Sequence, residues 1–328
     1  MSGVAFDYLR AGDVAEALTA GAKPGAAYIA GGTDLMPLWK ARAAAPALVV
    51  DISRLPLDGI GVERDGRLRL GGLARLSDTA AHAAVTRGWP LVAEAINASA
   101  SGQVRNMGTI GGVLLQRTRC AYFRNDALPC NKRAPGSGCG ARAGENRGHA
   151  IFGASEACCA THPSDLAVAL AALDAEVEVM GPDETRRISV AELHRLPGDA
   201  PHIDTELAPG ELIAAVEVPP CGGARSTYLK VRDRASFEFA VVSLAAVLRV
   251  EGGRIARARL VAGGVAARPW RLEAAEAALV GAAPSDKAFD EAAALAVDGA
   301  EPLAHNGFKV DLLRRVVKRA LETVGGAA

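Results

Sequence analysis

Five of the six cysteines in this 328-residue chain stand at positions 120, 130, 139, 158 and 159, in a segment rich in Gly, Asn, Arg and Pro. Clustered thiols suggest a disulfide scaffold, a zinc site or an iron–sulfur cluster. The start of the chain has no basic segment leading into an apolar run. No secretory signal is therefore expected, and structural disulfides are the weakest of the three readings. Zinc ribbons favour C-x2-C pairs, in which one tight turn presents two thiolates to a tetrahedral ion. Here the pattern is C-x9-C-x8-C-x18-C with a further Cys directly after it. Thiolates arriving from separate turns suit a larger centre, so the spacing favours an iron–sulfur cluster over zinc. Cys221, in "PPCGG", stands apart and reads as a free thiol.

Two glycine-rich stretches add a second kind of chemistry. "AGGTDL" (30–35) follows a predicted strand, and "SGQVRNMGTIGG" (101–112) has the same character. Glycines let a backbone approach a ligand closely, and the N–H groups of such turns suit phosphate oxygens. Neither stretch is a G-x-G-x-x-G fingerprint or a Walker loop. Together they fit a ligand with two phosphates held from two sides. His149 and His162 flank the cysteine segment, where hydrogen-bonded structural roles are expected. His82, His194, His202 and His305 are scattered and receive no role. Nothing resembles a Ser–His–Asp or paired-carboxylate site, so no residue is assigned to substrate catalysis.

These residues must be positioned by a chain long enough for two or three domains. Half of it is hydrophobic, and 37 basic residues balance 37 acidic ones, which gives no pull toward nucleic acid or anionic membrane. No apolar run is long enough to span a bilayer. "DVAEALTAGA" (13–22) predicts a helix, "AAYIAGG" (26–32) a buried strand ending in glycines, and "ALVVDIS" (47–53) another strand. "GRLRLGGLARLSD" predicts a strand and turn, and "LVAEAINASA" (91–100) a helix. The cysteine segment is too polar to be core. "HPSDLAVALAALDAEVEVMG" (162–181) predicts a helix capped by Ser164 or Asp165 and running into a strand. After the strand in "ELIAAVEVPPCGG" (211–223), strands and then helices predict a separate α+β unit.

"AGGTDL", "ASGQVRNMGTIGG", "HPSDLAVALAALDAEVEV" and "YLKVRDRASFEFAVVSLAAVL", in this order, resemble the FAD-binding middle subunit of molybdenum hydroxylases, the family of xanthine dehydrogenase and carbon monoxide dehydrogenase. The cysteine stretch is similar to the branch whose flavin subunit carries an extra [4Fe–4S] cluster: bacterial aldehyde oxidoreductases and, more distantly, hydroxybenzoyl-CoA reductase. The resemblance implies an α+β fold. A vanillyl-alcohol-oxidase (PCMH)-type FAD-binding domain of two α+β subdomains would span 1–222, with a cluster insertion at about 116–162. A C-terminal α+β flavin-subunit domain would follow over 223–328.

The resemblance also implies a set of contacts. Ala30, Gly31, Gly32, Thr33, Asp34 and Leu35 would wrap the FAD pyrophosphate, with Ser101, Gly102, Thr109, Gly111 and Gly112 on the other side. Asp165 would meet FAD hydroxyls, Lys230 would approach the flavin ring, and Ile213 would give it an apolar contact. Val113 stands where many relatives have Asn, and Asp34 where many have Asn or Ser. A carboxylate beside a pyrophosphate requires that Asp34 point away. A cubane needs four thiolates, and adjacent side chains of an extended stretch diverge. The family has Cys and then an aliphatic residue before "ATHPSD", which implies Cys120, Cys130, Cys139 and Cys158 as ligands and Cys159 as a buried apolar position.

The implied function is electron transfer in a heterotrimeric molybdenum-dependent aldehyde oxidoreductase. A small subunit with two [2Fe–2S] clusters would supply electrons from a large molybdenum subunit, and FAD would pass them to an external acceptor. A hydroxybenzoyl-CoA reductase-like flavin subunit is the alternative within the family, and a metal-binding scaffold without flavin the alternative outside it. The expected compartment is the cytoplasm, or the periplasm if the chain is co-exported with a signal-bearing small subunit.

Overall fold

Strand, helix and strand alternate at the start of the chain, and the strands Asp7–Arg10, Ala26–Ile29 and Leu48–Asp51 form a small parallel sheet with Leu48–Asp51 in the middle. The computed structural model describes residues 5–326, so both outer ends of the expected domain ranges lie outside the described residues. Helix Val14–Gly21 makes the crossover that parallel strands need. It begins at Asp13, whose carboxylate accepts from the Glu16 N–H at 2.8 Å, a local cap that fixes its start. The strand expected over 26–32 stops at Ile29 and is half-buried throughout. Its end opens onto a cleft, so the glycines after it belong to a loop and not to a core strand.

A second, antiparallel sheet follows in the order Ile60–Val62, Leu68–Gly71, Leu212–Val218, Glu176–Met180, Thr185–Ser189. Its central strand is buried at every position, as the run "LIAAVEV" requires. Helix Asp165–Ala172 is buried at all of its residues, packed between helix Pro90–Ala98 and the C-terminal sheet. Of the two expected caps, Ser164 is the one used: its Oγ accepts from the Ala167 N–H at 3.2 Å.

The C-terminal sheet is antiparallel, with strands Arg225–Val231, Val242–Glu251, Arg254–Gly263 and Trp270–Arg271. Helices Glu273–Leu279, Asp286–Leu295 and Phe308–Gly325 share a hydrophobic core with one face of it, while Tyr228, Ala245, Val247 and Val261 of the other face join the core of the preceding domain. The last helix turns Leu313, Val316, Val317, Ala320, Leu321 and Val324 inward, the helical spacing visible in "VDLLRRVVKRALETV". The α+β class is the one expected. No helix among the described residues is long and apolar enough to cross a membrane.

The cysteine segment departs from expectation, because it contributes to the cores despite its polarity. Phe123 is fully buried with Leu38, and Ile151 and Phe152 enter the C-terminal core. Their N–H groups both donate to Val265 O, at 2.9 and 3.0 Å. Asn306 Nδ2 and Lys309 Nζ donate to His149 O at 3.1 and 2.9 Å. A few apolar side chains and these hydrogen bonds anchor the segment to both halves of the chain.

Candidate functional site

Two glycine loops and a strand end enclose a cleft of ≈ 230 Å³. Ala30, Gly31, Gly32, Thr33, Asp34 and Leu35 form one side, and Thr109, Gly111, Gly112 and Ile213 meet them across it. The two adjacent glycines of the first loop are needed for different reasons. A Cβ on Gly31 would lie 1.8 Å from Met107 O, so the loop can pack on the 101–112 stretch only without one. Gly32 has room for a Cβ but sits at φ +70°, where a side chain is strained. The N–H groups of Gly31, Gly32, Thr33 and Asp34 find no acceptor among the described residues. Four unused donors in succession form a ready anion cradle.

The second loop is closed differently. The Gly111 N–H donates to Gly72 O at 2.8 Å, and the Gly112 N–H to Thr109 Oγ1 at 3.2 Å. It therefore supplies shape to the cleft, with those donors already spent. Ser101 and Gly102 do not line the cleft. Ser101 Oγ accepts from the Val104 N–H and caps the short helix Gly102–Arg105, which leads to Met107, the contact of Gly31. Sequence reasoning missed Gly72, whose added Cβ would meet Ile213 O at 2.0 Å, and Arg117, which also lines the cleft. The paired glycines of "LGGL" were an available signal for the first, whereas nothing local marks Arg117.

The Asp34 carboxylate is tied to the start of the cysteine segment. It reaches Arg119 Nη2 at 2.8 Å and Arg124 Nη2 at 3.1 Å, and accepts from the Arg117 N–H at 2.8 Å. The charge that would oppose a pyrophosphate is thus neutralised by the start of the cysteine segment.

The five clustered cysteines line one small cavity with Phe123, Lys132 and His149. Burial pushes the Cys120 thiol up to about 11 and raises Cys158 as well. Cys139 is lowered to about 6, chiefly by the hydrogen bond from the Cys159 thiol, and Cys159 is raised by the same bond. Cys158 Sγ accepts from the Ala160 N–H at 3.4 Å. Cys158 and Cys159 thus both reach the cavity wall, although an extended stretch would send them to opposite sides. Cys221 lies elsewhere, partly buried against the main core. Among the described residues no group of three or more His, Cys, Asp or Glu is arranged to hold a single metal ion.

One histidine near the segment meets a cysteine, and two others pack on each other. His149 Nε2 lies 3.2 Å from Cys120 Sγ. His162 and His194 pack ring on ring, 4.0 Å between centroids, and burial keeps both lowered and uncharged near neutrality. His194 Nε2 donates to Leu114 O at 2.8 Å.

Residues 4–221 match the FAD binding domain in molybdopterin dehydrogenase, and residues 227–324 match the CO dehydrogenase flavoprotein C-terminal domain. The chain belongs to the FAD-binding subunits of the molybdenum hydroxylase family. It is 48% identical to the FAD-binding subunit PaoB of an aldehyde oxidoreductase from Escherichia coli, over 97% of both chains. It is 28% identical to the alpha subunit of the 6-hydroxypseudooxynicotine dehydrogenase complex of Paenarthrobacter nicotinovorans, over 96% of this chain and 93% of that one. A solved structure of reconstituted CO dehydrogenase from Oligotropha carboxidovorans superposes with a TM-score of 0.78 at 25% identity, covering 100% of both chains.

As a molybdenum hydroxylase flavin subunit, the chain presents a cleft that fits FAD: two adjacent glycines, four unused N–H donors and no unpaired carboxylate facing them. Asp165 and Lys230 lie elsewhere. Asp165 lines a second cavity of ≈ 220 Å³, shared with Cys120 and His149. Its carboxylate accepts from Lys230 Nζ at 2.8 Å and from Tyr228 OH at 2.6 Å, and Lys230 also donates to Ala98 O at 3.0 Å. Burial raises the Asp165 carboxyl, against the pull of Lys230. Neither residue lines the glycine cleft.

Proposed function

We propose that this chain is the FAD and [4Fe–4S] subunit of a heterotrimeric molybdenum-dependent aldehyde oxidoreductase. The observation that carries the reading is the shared wall between the two cavities. Residues 117–120 place Arg117 on the glycine cleft and Cys120 on the cysteine cavity, three residues apart. Two redox groups held this close suit electron transfer within one subunit, and the likeness to an aldehyde oxidoreductase subunit supports the substrate class. FAD, when bound, exchanges one or two electrons, which lets it connect one-electron centres to a two-electron acceptor.

In this reading the 30–35 loop holds the pyrophosphate through its N–H groups, and Thr109, Gly111 and Gly112 close the cleft opposite. Ser101 and Gly102 support the loops from behind. Ile213 gives the apolar contact, and the Asp165–Lys230 pair faces the flavin end. The four cluster thiolates are Cys120, Cys130, Cys139 and Cys158, whose chemistry fits iron. The domain boundary is placed between 222 and 223. A large molybdenum subunit and a small subunit with two [2Fe–2S] clusters are the partners, electrons leave to an external acceptor, and the small subunit sets the compartment.

The test is cofactor content of the complex co-expressed with its neighbouring subunits. One FAD and four irons assignable to this chain, by difference from the partners, are expected. A flavin-free chain would overturn the reading, and a chain holding zinc or no iron would overturn its cluster half.

A further inference from the structure

We propose that Asp204 is a positioning residue that couples the flavin cleft electrostatically to the cysteine cavity. The inference rests on the FAD and [4Fe–4S] reading above, and goes beyond it by adding a residue that belongs to neither cavity's own ligand set. One carboxylate joins two cations, each facing a different cavity. Arg117, on the wall of the glycine cleft, places Nε 2.6 Å from Asp204 Oδ2. Lys132, on the wall of the cysteine cavity, donates to Asp204 Oδ1 and, at 2.6 Å, to Pro201 O.

The wall between the cavities is thin. The Arg117 guanidinium lies over the ring of Phe123, 4.6 Å from its centroid, and the fully buried Phe123 packs with Leu38 of the glycine cleft and itself lines the cysteine cavity. Lys132 is itself buried. A buried ammonium needs a compensating charge, and Asp204 supplies it. Backbone bonds hold Asp204 in place: the Arg195 N–H donates to its carbonyl at 3.0 Å, and His194 bridges to Thr205.

The consequence follows from signs. Each electron added to either cavity brings a negative charge near Arg117 and Lys132, which favour it, and near Asp204, which opposes it. Two cations against one anion leave a net positive node, and Asp204 sets how strongly that node favours reduction on both sides at once. Removing its charge strengthens the cationic field at both cavities together.

The experiment is the Asp204→Asn variant of the co-expressed holoenzyme, titrated at equilibrium with the flavin read optically and the cluster by EPR. At a fixed potential, the reduced-to-oxidised ratio should rise at both centres, by roughly two- to fivefold, the scale of a partly exposed charge pair. Asp204→Glu should restore wild-type ratios, which a merely structural role does not predict. If Asp204→Asn does not assemble, Arg117→Gln, which removes one cation, should lower both ratios. Full cofactor content with neither ratio shifted, or only one, would overturn the coupling. A wild-type chain lacking flavin or iron would instead overturn the reading beneath it.

Discussion

Asp34, in the 30–35 loop, and Arg119, one residue before the first clustered cysteine, form an ion pair at 2.8 Å. Arg119 is largely buried, and burial lowers it to about 10 against the opposing pull of Asp34. Arg124 adds a second cation to the same carboxylate oxygen at 3.1 Å. The loop proposed to hold FAD is thus fastened to the segment proposed to hold the cluster.

Asp34→Asn should therefore disturb both. It leaves two partly buried guanidinium groups without their carboxylate, a loss on the order of 1.5–3 kcal/mol for hydrogen bonds to a charged group. A lower urea midpoint is expected, with less FAD and less iron in the purified chain. Normal iron beside depleted flavin would show that the two sites are independent.

The two loop glycines should fail differently. Gly31→Ala drives a Cβ into Met107 O, which is backbone and cannot move aside. Gly32→Ala has space but costs about 1–2 kcal/mol at its left-handed φ. FAD content should be nearly abolished in the first and only partly reduced in the second, with both proteins folded by circular dichroism. Equal retention in the two variants would remove the packing explanation.

What the sequence disclosed and what it withheld divide along physical lines. The Ser164 cap, the glycine turns and the grouped cysteines are local features, set by hydrogen bonds and spacing within a few residues. The pairings that build the site are not. Arg117 meets Asp204 across 87 residues and Lys230 meets Asp165 across 65, and no periodicity predicts which charged side chains will face each other. Gly72 had a local signal, but its need for a bare Cα depends on the distant carbonyl of Ile213.

The Asp165–Lys230 pair gives a third prediction. Both side chains are 4% exposed. Lys230→Met strands a buried carboxylate with only Tyr228 as a direct partner, which should cost about 3–5 kcal/mol. The double variant Asp165→Asn, Lys230→Met removes the stranded charge and should recover much of that loss. Urea unfolding of the two singles and the double measures this; additive losses would mean that the pair contributes no coupling to stability.

Lys309 gives a pH dependence of known sign. It is 1% exposed, and its Nζ is held by two neutral carbonyls, His149 O and Gly264 O. Burial, helped by repulsion from Arg147, lowers it from 10.5 to about 7. Between these values the unfolded chain holds the proton that the folded one has lost, so this group makes stability rise with pH. Its contribution is fully present above about pH 10.5 and gone below about pH 7, with a slope of up to about 1.4 kcal/mol per pH unit between. Lys309→Met should flatten the rise in urea stability from pH 7 to 9. Parallel wild-type and variant profiles would mean that Lys309 titrates as in water.

The last prediction separates two adjacent thiols. Cys158 and Cys159 both reach the cysteine cavity, so burial and proximity do not choose between them. Their hydrogen bonds differ. Cys158 Sγ accepts a backbone N–H, from Ala160, and such a fixed donor stabilises a thiolate ligand and tunes the metal centre it holds. The Cys159 thiol instead donates to Cys139, acting as a neutral neighbour to a sulfur that carries charge readily, since Cys139 is lowered to about 6. Once a cluster takes the Cys139 thiolate, Cys159 is left as a buried, nearly apolar group. Cys158→Ser should therefore lose the iron and the reduced-state EPR signal assigned to this chain, while Cys159→Ser and Cys159→Ile keep both. Loss on changing Cys159 alone would move the ligand one residue along, and iron retained in every single variant would remove the four-cysteine site.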